Sequence, residues 1–286
     1  IHCGCLQISN IPKNLSVFYP ANYYSYSKPE LNKSDFIKFL RRTRSDYFFK
    51  NKNIFGLLLS KFYGISDWQK WLNVININYS DKILDIGSGS GDLLLNMKID
   101  GFTNLHGVDP FLRKENIYSN EIELRKVDIY EIEENYDLIM FNHSFEHMPN
   151  PLTVLQKANA LLYKNKYLMI RIPVMGTYAW KKYGINWFSL DAPRHLHIQT
   201  TYSMEILSKK TGFELKNIVF DSSANQFWGS EQYKHDISLY DSKSYLVDSK
   251  KSKFSKKQIN QYNKLSKLLN EKKQGDSAIF YLKKNN

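Results

Sequence analysis

Residues 85–91 read DIGSGSG, three glycines spaced two apart directly after the apolar run KILDI. Glycines in a turn after a buried strand let the backbone pass close to a ligand. Their spacing separates the ligands such turns hold. A dinucleotide turn reads G-x-G-x-x-G, its third glycine opening a helix. Here Gly87 and Gly89 are followed by Gly91 only two positions on, and Asp92 comes next. A triphosphate loop needs G-x-x-x-x-G-K followed by Ser or Thr, and no lysine follows these glycines. Asp85 precedes the first glycine, where a carboxylate repels a pyrophosphate and attracts an ammonium.

A phosphate-free ligand with an amino-acid ammonium, a ribose diol and an adenine fits this pattern, and S-adenosylmethionine (SAM) has all three. The ribose diol needs an acidic residue at the end of the next strand, about twenty residues on. Asp109 in HGVDPF is placed for it. The adenine amino group needs an acceptor at the end of the third strand, and Asp128 in RKVDIY is the candidate. Transfer of a methyl group from a sulfonium is an in-line displacement that needs alignment and a group to take the acceptor's proton. Histidine suits that proton transfer.

Four of the seven histidines fall in two clusters, His143 and His147 in NHSFEHMPN, and His195 and His197 in PRHLHIQT. His143 follows Asn142 at the end of the fourth strand; it reads as a substrate contact or general base, or else as packing or a helix cap. His195 is the second candidate base. Glu146 and His147 are adjacent, which gives poor shared geometry for zinc, so they read as organising the backbone and hydrogen-bonding on the substrate side. Arg194 offers a fork for a carboxylate or phosphate, or an ion pair with Asp191. Tyr178 and Trp187, in GTYAWKKYGINWF, are candidate walls for a sugar ring.

These residues must be positioned by strands and helices, and the chain alternates them from Asp81 onward. KILDI, NLHGVD, ELRKVDI, YDLIMFN and YLMIRIPV read as strands, with helices in DLLLNMK and PLTVLQKANALL. Continuous apolar strands between helices predict a mostly parallel sheet covered on both faces. SMEILSKKTGF reads as a helix closed by Gly212, LKNIVFD and SAIFYLKK as further strands, with a helical insertion over about 225–275. A lid is expected over about 175–200, a helical segment over 31–80, with Ser66 capping the helix of Trp68, Trp71, Leu72 and Ile75, and an extended arm over 1–30.

At 286 residues with 42% hydrophobic residues the chain can bury a substantial core and is not a disordered one. The net charge of +12 points to a nucleic-acid or acidic-membrane partner, or to AT-rich codon bias, with much of the excess in the lysine-rich stretch near residues 250–273. The two cysteines, Cys3 and Cys5, exclude a disulfide framework and a cysteine nucleophile in the core, and suit a cytoplasmic setting. No run reaches the ~20 apolar residues of a membrane span.

The stretch from about Asp81 to the C-terminus resembles class I SAM-dependent methyltransferases. DIGSGSGDLL is similar to their first motif, VDP (with Pro110) to the second, and VDI (with Ile129) to the adenine-side motif. NHSFEHMPNP and LDAPRHL resemble a bacterial subgroup with N-H-x-x-E-H-x-x-x-P and D-x-P-R-H-L. The resemblance implies a Rossmann-like α/β fold with a seven-stranded, mostly parallel sheet. It also implies that Asp85, Gly87, Ser88, Gly89, Gly91, Asp109, Pro110, Asp128, Ile129 and Asn142 hold SAM. Cys3-Gly4 and Gln7, followed by FYPANYYSY, resemble the tail of a zinc ribbon that precedes some relatives; two cysteines cannot complete four-ligand zinc, so no metal is expected.

The expected activity is methylation of a small molecule, a sugar or nucleotide-sugar hydroxyl of a surface polysaccharide or secondary metabolite. The alternative is RNA methylation. Amino-methylating nucleic-acid enzymes usually carry an Asp, Asn or Ser followed by P-P and an aromatic residue where this chain has NHSF, which disfavours nucleic acid but leaves ribose methylation open. The oligomeric state is not set by the sequence.

Overall fold

The computed structural model describes residues 3–18, 34–50, 53–112, 116–119 and 122–285. After β1 (Leu6–Gln7) come α1 (Asp35–Lys50), α2 (Ile54–Tyr63) and α3 (Asp67–Asn73). Then follow β2 (Ile83–Ile86), α4 (Asp92–Ile99), β3 (Leu105–Val108), β4 (Asn116–Ser119), β5 (Ile122–Arg125) and β6 (Tyr136–Asn142). Next are α5 (Pro151–Leu161), β7 (Leu162–Pro173), α6 (Tyr178–Tyr183), β8 (His197–Ile198), α7 (Thr201–Lys210) and β9 (Phe213–Phe220). The chain closes with α8 (Asn225–Tyr233), α9 (Lys256–Glu271) and β10 (Ser277–Lys284). Among the described residues, those within 19–142, 156–169 and 283–286 form one compact unit and those within 1–18, 143–155 and 170–282 another. We call them the glycine-loop unit and the histidine unit.

In the glycine-loop unit the strands run in the order β4-β5-β3-β2-β6-β7. β2 pairs in parallel with β3, Ile83 opposite Leu105, and with β6, Ile83 opposite Leu138. All four residues of β2 are buried, as expected for a central strand covered on both faces. α3 starts where the sequence places it, the Ser66 N–H donating to the Gln69 side chain at 3.1 Å. Trp68 packs edge-on against Phe102, as does Tyr79, so this tryptophan serves the core. α1 is tied down through Arg41, whose Nε donates to the buried Asp100 at 2.7 Å.

In the histidine unit the strand order is β7-β10-β9, so the last strand of the chain lies between two earlier ones. The sheet therefore holds eight strands among the described residues, the seven expected plus β4, which pairs antiparallel with β5 at the edge. A four-residue strand shows too little periodicity to be read from sequence. The start of the expected extended arm is also a strand: β1 pairs antiparallel with β8, Leu6 opposite Ile198, and Thr200 Oγ1 donates to the Cys3 carbonyl at 2.7 Å. Of FYPANYYSY, all but Phe18 lies outside the described residues.

The insertion before β10 is helical, as read. Leu269, Tyr262 and Leu265 of α9 pack with Phe227 and Trp187, leaving the lysines on the outer face, a solvated stripe. Among the described residues no helix is long and apolar enough to cross a membrane.

Candidate active site

In the glycine-loop unit the turn after β2 folds back on the end of β3, the N–H groups of Gly87 and Ser88 both donating to the Val108 carbonyl. Gly91 has φ of +79°, and a Cβ there would lie 2.8 Å from Leu124. A Cβ on Gly107 would lie 2.6 Å from Ser88 Oγ and 2.5 Å from Leu124, so the loop is pressed onto β3 and β5 through the absence of side chains. Asp109 is buried and braces the turn: one oxygen accepts the Gly89 N–H at 3.0 Å and the other the Phe111 N–H at 2.8 Å.

Two buried polar atoms in this turn have no hydrogen-bond partner, Asp85 Oδ1 and Ser88 Oγ. Burial, together with the Asp109 charge, pushes the Asp85 carboxyl up to about 7. Such orphaned groups fit a ligand that brings an ammonium and further polar atoms. The residues present therefore fit SAM: a carboxyl for its ammonium, a glycine turn the ligand can approach closely, and an acid beyond β3.

The other expected contacts are placed unequally. Pro110 is exposed, Ile129 is buried, and Asn142 ends β6 half-buried. Asp128 has a local structural role. It lies beyond the end of β5 and caps a short turn, accepting the Tyr130 N–H at 3.1 Å while Glu131 accepts its own N–H. Part of its acceptor capacity is thus spent on the backbone, as Asp at a cap usually is.

In the histidine unit the sequence HSFEH folds into a single helical turn over Phe145–His147. His143 sits just before it with φ of +54°, a left-handed conformation that costs an L-residue about 1 kcal/mol. Its Nε2 receives an N–H from Arg171, which donates a second to Asp221. Asp221 is held in turn by Ser277 Oγ at 2.9 Å. Because guanidinium only donates, His143 Nε2 is the acceptor and Nδ1 carries the hydrogen, facing Glu146 Oε1 at 3.4 Å. Desolvation and the Arg171 charge push this histidine down to about 3.

Glu146 is 1% exposed, and neither of its carboxyl oxygens has a hydrogen-bond partner. His195 reaches it from a loop some fifty positions later, with Nε2 at 3.8 Å from Glu146 Oε1 and 3.7 Å from Asp191 Oδ2. The other ring nitrogen of His195 lies 2.8 Å from the Ser189 carbonyl, so Nδ1 carries the hydrogen and Nε2 the lone pair. His147 repeats the arrangement, with Nδ1 at 2.9 Å from the Arg194 carbonyl. Its ring stands edge-on to that of His195. Burial lowers the pKa of both histidines, His147 to about 4, so both are neutral at pH 7.

The remaining expected substrate contacts resolve into different roles. Arg194 makes the ion pair foreseen as its alternative, donating to Asp191 Oδ1 at 2.6 Å. Trp187 is fully buried with its indole N–H on Asp276 at 2.9 Å, so the expected substrate wall is a core residue instead. Tyr178 is half-buried against Phe227. His197 is a structural histidine: Nε2–H donates to the Met148 carbonyl, and Nδ1 accepts from Gln199. The sequence reading missed Arg171 and Asp221. The signal available was a lone arginine inside the apolar run YLMIRIPV, whose charge must find a partner.

Among solved structures the chain is similar to a SAM-dependent methyltransferase from Archaeoglobus fulgidus, at 19% identity over 81% of this chain and 100% of that one, with a TM-score of 0.47. It is also similar to a cyclopropane synthase from Mycobacterium tuberculosis, at 15% identity over 93% of this chain and 99% of that one, with a TM-score of 0.49. No curated protein matches. The family profile described as "Methyltransferase domain" matches residues 61–218, more than half of the chain. The chain belongs to this methyltransferase family, and S-adenosylmethionine is its cofactor.

Proposed function

We propose that this enzyme methylates a hydroxyl of a small polar acceptor, a sugar or nucleotide-sugar, and that His195 takes the hydroxyl proton. The observation that carries the reading is the setting of His195. Its Nδ1–H is fixed on the Ser189 carbonyl, and its Nε2 lone pair lies beside the carboxyl groups of Glu146 and Asp191. Those two carboxyl groups stabilise the imidazolium that forms when Nε2 gains a proton. His143, the other candidate base, has its Nε2 engaged by Arg171 and so acts by position, presenting Nδ1–H toward Glu146.

When bound, SAM supplies an electrophilic methyl group on a positively charged sulfur. Asp85, Gly87, Ser88, Gly89 and Gly91 are assigned to its amino-acid end, Asp109 and Pro110 to the ribose, and Asp128 and Ile129 to the adenine side. Asn142 is assigned to the methyl end. Glu146, His147, Arg194 and Tyr178 are assigned to the acceptor side, Arg194 through whatever hydrogen-bonding capacity its pairing with Asp191 leaves. The motif NHSFEHMPNP and the buried Glu146, whose oxygens make no hydrogen bond, support a polar, hydroxyl-bearing acceptor. A cytoplasmic setting and a role in surface polysaccharide or secondary-metabolite synthesis belong to the same reading.

The test is transfer of a labelled methyl group from SAM to fractionated nucleotide-sugar pools and, in parallel, to RNA. Label in the nucleotide-sugar fraction, lost in His195→Gln with SAM affinity retained, is expected. Label in RNA alone would replace this reading with nucleic-acid methylation by the basic surface.

A further inference from the structure

We propose that Glu146, His147 and His195 form a binding site for a first-row divalent transition cation such as Zn²⁺. This goes beyond the methyl-transfer reading and does not depend on it. One carboxylate oxygen and one nitrogen from each ring lie within 4.8 Å of one another, all inside the histidine unit. A tetrahedral site with bonds of about 2.0–2.1 Å holds its ligand atoms about 3.4 Å apart. Glu146 Oε1 and His195 Nε2 stand at 3.8 Å, so small side-chain rotations bring them to that spacing.

The hydrogen bonding around the cluster is what a metal site requires. Ligating histidines characteristically donate the other ring N–H to a backbone carbonyl or carboxylate, which fixes the tautomer and aims the lone pair at the metal. His147 does this to the Arg194 carbonyl and His195 to the Ser189 carbonyl. Both rings thus carry their lone pairs on Nε2. The third member, Glu146, is 1% exposed and neither oxygen has a hydrogen-bond partner, although the His143 Nδ1–H faces Oε1 at 3.4 Å. A buried carboxylate facing a nitrogen lone pair at 3.8 Å is a meeting of electron-rich atoms with no hydrogen between them, which a cation resolves.

Two imidazoles and one carboxylate select a borderline cation over Mg²⁺ or Ca²⁺, which prefer all-oxygen sets. Three protein ligands leave a fourth position for water or a ligand, and Asp191 Oδ2, 3.7 Å from His195 Nε2, borders it. Cation binding and proton uptake use the same His195 lone pair, so in the metal-loaded protein that nitrogen is no base. The loop sequence alone pointed away from a metal because it showed only the adjacent Glu146 and His147. The fold adds His195.

The test uses chelator-treated protein carrying Cys3→Ser and Cys5→Ser, which removes the only thiols. It is titrated with Zn²⁺ by calorimetry and with Co²⁺ by visible absorption. One equivalent of Zn²⁺ is expected to bind, and Glu146→Gln and His147→Gln are each expected to weaken it at least about tenfold. Co²⁺ is expected to give the intense bands of a four- or five-coordinate nitrogen–oxygen site. Absence of saturable Zn²⁺ binding, unchanged affinity in both variants, or the weak bands of six-coordinate Co²⁺ would each overturn the proposal. The Co²⁺ spectrum decides the matter even where a variant fails to fold. A SAM titration of the same protein reports separately on the methyltransferase reading.

Discussion

Gly91→Ala tests how the glycine turn is held against the sheet. The new methyl group meets two costs. At φ of +79° an L-residue is disfavoured by about 1–2 kcal/mol. The Cβ also arrives 2.8 Å from Leu124 Cδ1 and 3.1 Å from Cδ2, and Leu124 is itself fully buried at the sheet, so the clash cannot swing into solvent. Overpacking of this kind costs about 1–3 kcal/mol. The sum is about 2–5 kcal/mol, read as a lowered urea midpoint with an unchanged slope. A second substitution separates the two costs. In Gly91→Ala/Leu124→Ala the clash is gone and the backbone strain remains, so the double variant should be more stable than the sum of the singles by about 1–3 kcal/mol. Destabilisation below about 0.5 kcal/mol, or strict additivity with Leu124→Ala, would refute the close packing of the turn on β5.

Two further outcomes follow from buried groups in the histidine unit. His197 is 5% exposed and its pKa is depressed to about 4 by burial, so the folded state resists the proton that the unfolded chain accepts near pH 6.5; stability should be full above that pH and fall by about 3 kcal/mol toward pH 4. His197→Gln should flatten that pH dependence in urea melts, and an unchanged slope would show that His197 is not a source of it. Asp276→Ala leaves the buried Trp187 indole N–H without its acceptor and should cost about 1–3 kcal/mol; an unchanged melting temperature would remove this pair from the core's support.

Much of the cofactor side was legible because it depends on local signals. A turn whose glycines adopt left-handed angles, a carboxylate before it and another after the next strand are all written in nearby residues, and the fold puts Asp85 near the end of β2 and Asp109 just after β3. Asp128 stands just beyond the end of β5, and its capping of the turn at Tyr130 shows only in the backbone path, because a strand end and a following cap look alike in RKVDIY. The acceptor side was legible as types but not as arrangement. His143, Glu146, His147 and His195 were all singled out, yet which ring nitrogen carries a lone pair depends on Arg171, Ser189 and Arg194, supplied by segments far apart in sequence. Trp187 shows the same limit: an aromatic in a loop reads equally as pocket wall or core, and only the buried Asp276 decides it. β4 lay below the length at which periodicity speaks.

The central claim is that the turn after β2 holds SAM. Calorimetric titration of the protein with SAM tests it most directly, with Asp85→Asn and Asp109→Ala as companions. One site of micromolar affinity, about −8 kcal/mol, is expected, weakened in both variants. No measurable binding by the folded wild-type protein, or affinity untouched by either substitution, would contradict it.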